Sequence, residues 1–294
     1  PSPARISAEI FYNRADIFRT AFRAYLLLGF LLLFVATNSN TRRKKALLQT
    51  TSKRRRWLPR LLTVLIVAVF LWQCAGLGLR WYISGRAPWT NAYESMVYVA
   101  WATVLSGIVF ARRSKLARRS RLALALATLM GGVILFVSNL NWLDPQITPL
   151  VPVLKSYWLM IHVSVITASY GFFGIAAVTG LASLIAMIAG HPRHDLRIIG
   201  ELSMLIGLVL LAAGIFLGAV WANESWGRYW GWDPKETWAL ITLLVYTFVT
   251  HSRHIPRLSN DFAFSAMSLA AIASVLMTFF GVNYYLSGLH SYGG

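Results

Sequence analysis

Histidines are the residues best suited to chemistry in this chain, which has six of them and a single cysteine. Imidazole is the usual protein ligand when a buried cofactor contains iron. His191, His194 and His254 lie beside Arg and Pro in short polar connections, where histidines are commonly structural or solvated. His162 closes the run Ser156-Tyr-Trp-Leu-Met-Ile-His162 at the head of a long apolar segment, His251 ends another, and His290 stands near the C-terminus. A lone histidine in such a segment is more often a packed, hydrogen-bonded residue than a ligand. The lone Cys74 sits inside an apolar run, which excludes an intrachain disulfide or a thiol pair and reads as a small core residue.

Residues 221 to 238 shift that balance. They hold five of the 12 tryptophans (Trp221, Trp226, Trp230, Trp232 and Trp238) and five charges (Glu224, Arg228, Asp233, Lys235 and Glu236). Each charge would cost roughly 2.5 to 3.5 kcal/mol at a bilayer centre, so the stretch does not span a membrane. It is also too aromatic for an ordinary solvated loop, and it reads as a flat aromatic platform resting on a membrane surface.

Positioning it falls to apolar helices. With 57% hydrophobic and 13% charged residues and a mean hydropathy of +0.57, the chain has more apolar surface than one soluble core needs. The expected fold is all-α, a polytopic transmembrane bundle. Eight runs approach spanning length: Ala24 to Ala36, Leu58 to Ile83, Ala92 to Ala111, Leu122 to Asn139, Tyr157 to Ala189, Ile199 to Trp221, Trp238 to Thr250 and Phe262 to Leu286. The first and seventh are short and must borrow flanking residues to cover about 30 Å. Residues 1–23 read either as an external amphipathic segment on the membrane surface or as a soluble linker. The start at Pro1, without methionine, reads as a joint to a longer polypeptide or a processed end.

The net charge of +18 comes in short clusters between the apolar runs, the pattern of membrane loops rather than of nucleic-acid binding. With the N-terminus outside, four inner connections (41 to 60, 112 to 121, 190 to 198 and 251 to 257) carry 19 of the 28 Lys and Arg. The positive-inside rule then puts the platform and the C-terminus on the periplasmic or equivalent face, together with the loops Gly85 to Asn91 and Asn141 to Ser156. His162 and His290 therefore flank an aromatic plate on one side, an arrangement that suits a planar metallo-macrocycle with imidazoles on its faces and indoles around its edge. His251 follows Trp238 by 13 residues, about 20 Å further in. It cannot share that macrocycle, and a second site there would need a histidine from elsewhere.

The run from Trp221 through Trp226-Gly-Arg-Tyr-Trp230-Gly-Trp232-Asp-Pro-Lys-Glu-Thr-Trp238 to Ile241 resembles the tryptophan-rich WWD signature of haem-handling proteins in cytochrome c biogenesis. Within that superfamily, which includes CcmC and CcmF, it is most similar to the CcsA branch and to the fused CcsBA synthetases of System II. Pro88-Trp-Thr-Asn91-Ala-Tyr-Glu94, Trp158 to His162 with Ser169-Tyr-Gly171, and Asn283 to His290 extend the likeness over most of the chain after about residue 85.

The resemblance implies haem b as the bound group. His162 and His290 match its external ligands, and His251 matches an inner transmembrane ligand whose partner histidine comes from a CcsB-like part. It further implies a cytochrome c synthase in the bacterial inner membrane, with a thylakoid membrane as the lesser alternative. Such an enzyme moves haem outward and positions its vinyl groups for the thiols of a CxxCH segment in apocytochrome c. Trp226, Trp230 and Trp232 are expected to line the ligand, with Trp221 and Trp238 equally readable as aromatic-belt anchors. Arg228 and Lys235 are candidates to pair with haem propionates. Asp233 and Glu236 are expected to cap the helix that starts at Pro234, rather than to transfer protons. Asn91 and Glu94 are candidates to orient the platform.

Two other function classes remain. One is an exporter or chaperone that presents haem without attaching it. The other is a quinone-linked bis-haem oxidoreductase, whose expected paired histidines about thirteen residues apart on two helices are not found.

Overall fold

A computed structural model describes residues 2–43, 57–113, 117–140, 143–147, 156–286 and 288. Among these residues the chain is all helix and turn, as expected for a polytopic bundle. The contacts divide it into two compact units, Pro1–Arg86 with Ala100–Leu143, and Ala87–Val99 with Asp144–Gly294. Among the described residues, seven helices are long and apolar enough to cross a membrane.

The first unit contains α1 (Pro3–Ala15), α2 (Ile17–Arg43), α3 (Trp57–Ser84), most of α4 (Ala92–Arg113) and α5 (Ala117–Ser138). The helix through the first apolar run begins earlier than that run suggests. Asp16 adopts a left-handed conformation at φ 42° and separates α1 from α2, and Ile17, Phe18 and Ala21 are buried at once. Gly76 of α3 admits them, because a Cβ there would lie 2.8 Å from Ile17. Close glycine crossings recur between α2 and α5, at Gly29 against Leu129 and Gly132 against Leu26. Some of the unit's internal polar groups are paired across helices, and Ser106, Thr128 and Ser138 bond carbonyls of their own helices. Tyr25 donates to Gln73 at 2.9 Å, and the Trp101 indole donates to Cys74 Sγ at 3.1 Å.

The second unit contains the start of α4, then α6 (Tyr157–Ile188), α7 (His194–Trp226), α8 (Pro234–His251) and α9 (Asp261–Leu276). A π-helical turn (Met277–Gly281) and α10 (Val282–Tyr285) continue α9. Helices α6 and α7 are joined by a row of small residues. A Cβ at Gly200, Gly207 or Gly214 of α7 would meet Thr179, Phe173 or Ile166 of α6 within 3 Å. Substituting any of them would push the helices apart. Phe173 of α6 stacks on Tyr246 of α8 at 3.7 Å, and Thr242 of α8 bonds Thr278 in the π turn at 2.9 Å.

Two boundaries differ from the apolar runs. Helix α7 does not stop at Trp221 but continues through Asn223 and Glu224 to Trp226, where Gly227, left-handed at φ 70°, ends it. The platform is thus a helix end, a short loop and a helix start. Helix α8 has 18 residues, about 27 Å, which covers the bilayer core only with its flanks, as its sequence suggests.

Candidate functional site

The platform loop is fixed by the start of α8. Asp233, buried at 6% exposure, caps the helix by accepting from the Lys235 N–H at 3.0 Å. Glu236 Oε2 reaches back to accept from the N–H groups of Asp233 at 3.1 Å and Gly231 at 2.8 Å. This reciprocal capping box is the role expected of both acids, and it satisfies donors that the helix start would leave unpaired. Pro234 at the first helical position adds a preset φ. The cost appears one residue earlier, where Trp232 is held left-handed at φ 56°.

A second cap organises the start of α4. Asn91 Oδ1 accepts from the Glu94 N–H at 2.7 Å, and the buried Glu94 carboxylate accepts from both the N–H and the hydroxyl of Thr90, at 3.0 and 2.8 Å. This supplies the partner that a buried carboxylate requires. Trp89 then donates its indole N–H to the Met160 carbonyl at 3.1 Å, which fastens the loop to the first turns of α6. Ser156 donates to Glu224 at 2.9 Å, so the start of α6 is tied to the end of α7.

Within this frame lies a cavity of about 1310 Å³, its mouth included, lined mostly by apolar side chains from α6, α7 and α8, the π turn and the Trp89–Ser95 segment. His162 is on its wall. The ring Nδ1 is 2.8 Å from the carbonyl oxygen of Gly214 on α7. A carbonyl only accepts, so Nδ1 carries the proton and Nε2 is the nitrogen able to ligate a metal. The ring lies nearly parallel to Trp221, 8° between planes at 6.4 Å, and flat against Gly218, where a Cβ would lie 2.6 Å from Cε1. Trp221 is 1% exposed and lines the cavity beside Trp230 and Tyr229. A mostly apolar cavity whose lining includes tryptophans and one oriented imidazole suits a macrocycle bound through its metal.

Lys235 also lines the cavity. The residue is half-buried overall, but its ammonium end is enclosed and donates to Asn283 Oδ1 at 2.6 Å. Burial pushes this ammonium down to about 8, with Asp233 acting in the opposite direction. Asn283 is presented by the turn after the π-helical segment, where its amide donates to the Phe279 carbonyl at 2.7 Å. Thr278 of the same segment, besides bonding Thr242, donates to the Trp238 carbonyl at 3.2 Å. π-turns of this kind are frequent at functional sites.

The structure thus brings His162 and Trp230 together with Trp221 and Lys235. The other described residues proposed for the site lie elsewhere. Trp226 packs edge-on against Trp221 at 4.8 Å and stands outside the lining. Trp232 is 68% exposed and meets Trp230 at right angles, 5.7 Å between centroids. The Arg228 guanidinium folds over Gly231, where a Cβ would lie 2.5 Å from Cζ. His251 is exposed at the opposite end of α8, its Nδ1 2.8 Å from Thr247 O of its own helix, and its ring 6.3 Å from that of His254. His290 lies outside the described residues. Gly218 and the π turn carry no sequence signal strong enough to single them out, although the glycine row on α7 leads to Gly218; Asn283 opens the C-terminal run that carries the family likeness, but its role as the partner of Lys235 shows only in the fold.

The profile of the family described as Cytochrome C assembly protein matches residues 89–290, the span that contributes the cavity. The chain belongs to that family. Among its relatives, CcsA of Guillardia theta, a cytochrome c biogenesis protein, is 35% identical over 74% of this chain and 80% of its own length. CcsA of Synechococcus sp. (strain CC9902) is 35% identical over 80% of this chain and 87% of its own. Protein NrfI of Wolinella succinogenes is 46% identical over 99% of this chain, which spans only 32% of NrfI's length. The chain is thus a CcsA-type cytochrome c biogenesis protein, and in this family member the WWD segment is built on the capping box of α8 and the buried Trp221.

Proposed function

We propose that this protein is a cytochrome c synthase: it receives haem, carries it to the outer face of a bacterial inner membrane and holds it for thioether attachment to the CxxCH motif of apocytochrome c. The observation that carries this reading is His162, whose Nδ1 is committed to the Gly214 carbonyl beside Trp221 in a mostly apolar cavity. His162 Nε2 ligates haem b from one face, and His290 supplies the second external ligand. His251 serves an inner site, completed by a histidine from a CcsB-like part or subunit. The charge distribution of the loops supports placing the cavity end on the periplasmic side.

Attachment adds each substrate thiol across a haem vinyl group. Sulfur bonds to the inner vinyl carbon and hydrogen ends on the terminal one, with nothing lost. The sequence holds a single cysteine, Cys74, whereas attachment uses two thiols, so we assign both nucleophiles to the CxxCH motif of the apocytochrome. The contribution of the chain is placement, which makes an encounter nearly intramolecular. Bis-histidine ligation would also keep the iron six-coordinate until the histidine of the substrate motif displaces one ligand.

The test is co-expression, together with any CcsB-like partner, with an apocytochrome in cells that lack other attachment machinery. Covalent haem on the CxxCH substrate is the expected result. Haem that co-purifies with the protein while the substrate stays unmodified would decide for an exporter or chaperone that only presents haem.

A further inference from the structure

We infer that Lys235 and Asn283 form a carboxylate-reading corner of the cavity, so that the macrocycle is selected by its acidic edge as well as by its iron. This rests on the reading of the cavity as a haem site and adds what fixes the rotation of the ligand in it. A ligand held only by an axial imidazole and flat aromatic walls can turn about the iron–nitrogen axis. A thioether-forming site must instead present the vinyl edge in one direction. An anchor on the opposite, carboxylate-bearing edge removes that freedom.

Of the two cations near the platform, the geometry chooses one. The Arg228 guanidinium is folded over Gly231 and lies outside the lining, whereas Lys235 lines the cavity with its ammonium enclosed. The carboxylates beside it are engaged with backbone. Asp233 Oδ1 accepts from the Lys235 N–H, and Glu236 Oε2 accepts from the N–H groups of Gly231 and Asp233. Both acids hold the turn that starts α8, and Asp233 also acts on the nearby ammonium. The Lys235 ammonium donates to the oxygen of the Asn283 amide, a neutral group able to give way to, or share the ammonium with, an incoming carboxylate. Asn283 in turn is held by the Phe279 carbonyl, so the π turn sets the position of the corner.

The experiment compares haemin, a dicarboxylate, with haemin dimethyl ester, the same macrocycle with its charges removed, on the purified full chain in detergent. Wild type is expected to bind the diacid about tenfold more tightly than the ester or better. Lys235→Met should lose that preference while still binding the ester, and Asn283→Leu should reduce it. An unchanged preference in Lys235→Met would overturn the inference and leave the haem reading standing. Wild type that binds neither compound would overturn both. If Lys235→Met does not fold, wild type measured at pH 7 and pH 9.5 decides instead. The preference should disappear at the higher pH, and its persistence would contradict the assignment.

Discussion

The two ends of the second unit hold histidines in opposite circumstances. At one end His162 gives its Nδ1 proton to a carbonyl of a different helix, stacks on a buried tryptophan and faces a cavity framed by two helix caps. At the other end stand His191, His194, His251 and His254. Of these, His191 and His251 use Nδ1 on carbonyls of their own local chain, at 2.6 and 2.8 Å. That end is held by ion pairs between helices, Arg197 to Asp261 and Arg253 to Glu201, and its histidines are exposed. The contrast teaches that imidazole count does not make a site. What distinguishes His162 is that a neighbouring helix fixes its tautomer and that its ring lines a cavity.

The strongest way to break this contrast is to disturb the seating of His162 alone. Gly218→Ala places a methyl group 2.6 Å from Cε1, so the ring must move off Gly214. Haem affinity, measured by titration in detergent, should fall about tenfold or more, the effect of losing an orienting partner of a metal-binding histidine.

The pH response of Lys235 is the next largest effect. With its ammonium near 8, the protonated fraction falls from about nine-tenths at pH 7 to about one-tenth at pH 9, and affinity for the diacid should fall with it by up to about tenfold. Stability runs the other way. The folded-state value lies below the ordinary lysine value of 10.5, so between about 8 and 10.5 the unfolded chain binds more protons, and the ligand-free protein should gain stability as pH rises through that window. A thermal midpoint that rises while haemin affinity falls is the expected signature.

Asp233→Ala removes one half of the capping box and should cost about 1 kcal/mol of stability, with a lower thermal midpoint and weaker haem retention. Arg253→Ala at the opposite end should cost less than about 1 kcal/mol, because its ion pair with Glu201 is exposed, and it should leave haem affinity at the cavity unchanged. An equal loss of haem affinity in both variants would erase the difference between the two ends.

Much of this was legible in the residues. Apolar runs and basic loops fix an all-α membrane fold, because each span must satisfy its backbone internally and each loop charge must stay in water. Asp-Pro-x-Glu at 233 to 236 announces a capped helix start, and the structure builds that cap. Other features depend on tertiary packing. Arg19 and Arg23 interrupt the apolar pattern, so the early start of α2 at Ile17 becomes visible only when Gly76 admits Ile17 and Phe18. Trp221 at a span end looks like a belt anchor, yet it is buried behind His162. The division of labour between Arg228 and Lys235 depends on which cation the loop turns toward the cavity. The π turn that sets Asn283 is a one-residue change of hydrogen-bond register within an apolar helix, and composition alone carries no mark of it.

The most direct measurement of the central claim is the haem content of purified His162→Gly, taken as the pyridine haemochrome spectrum with and without imidazole during growth. The account predicts markedly reduced haem that imidazole partly restores, because the free base can occupy the space left beside Trp221 and supply the missing nitrogen. Haem content equal to that of wild type, with no response to imidazole, would contradict it.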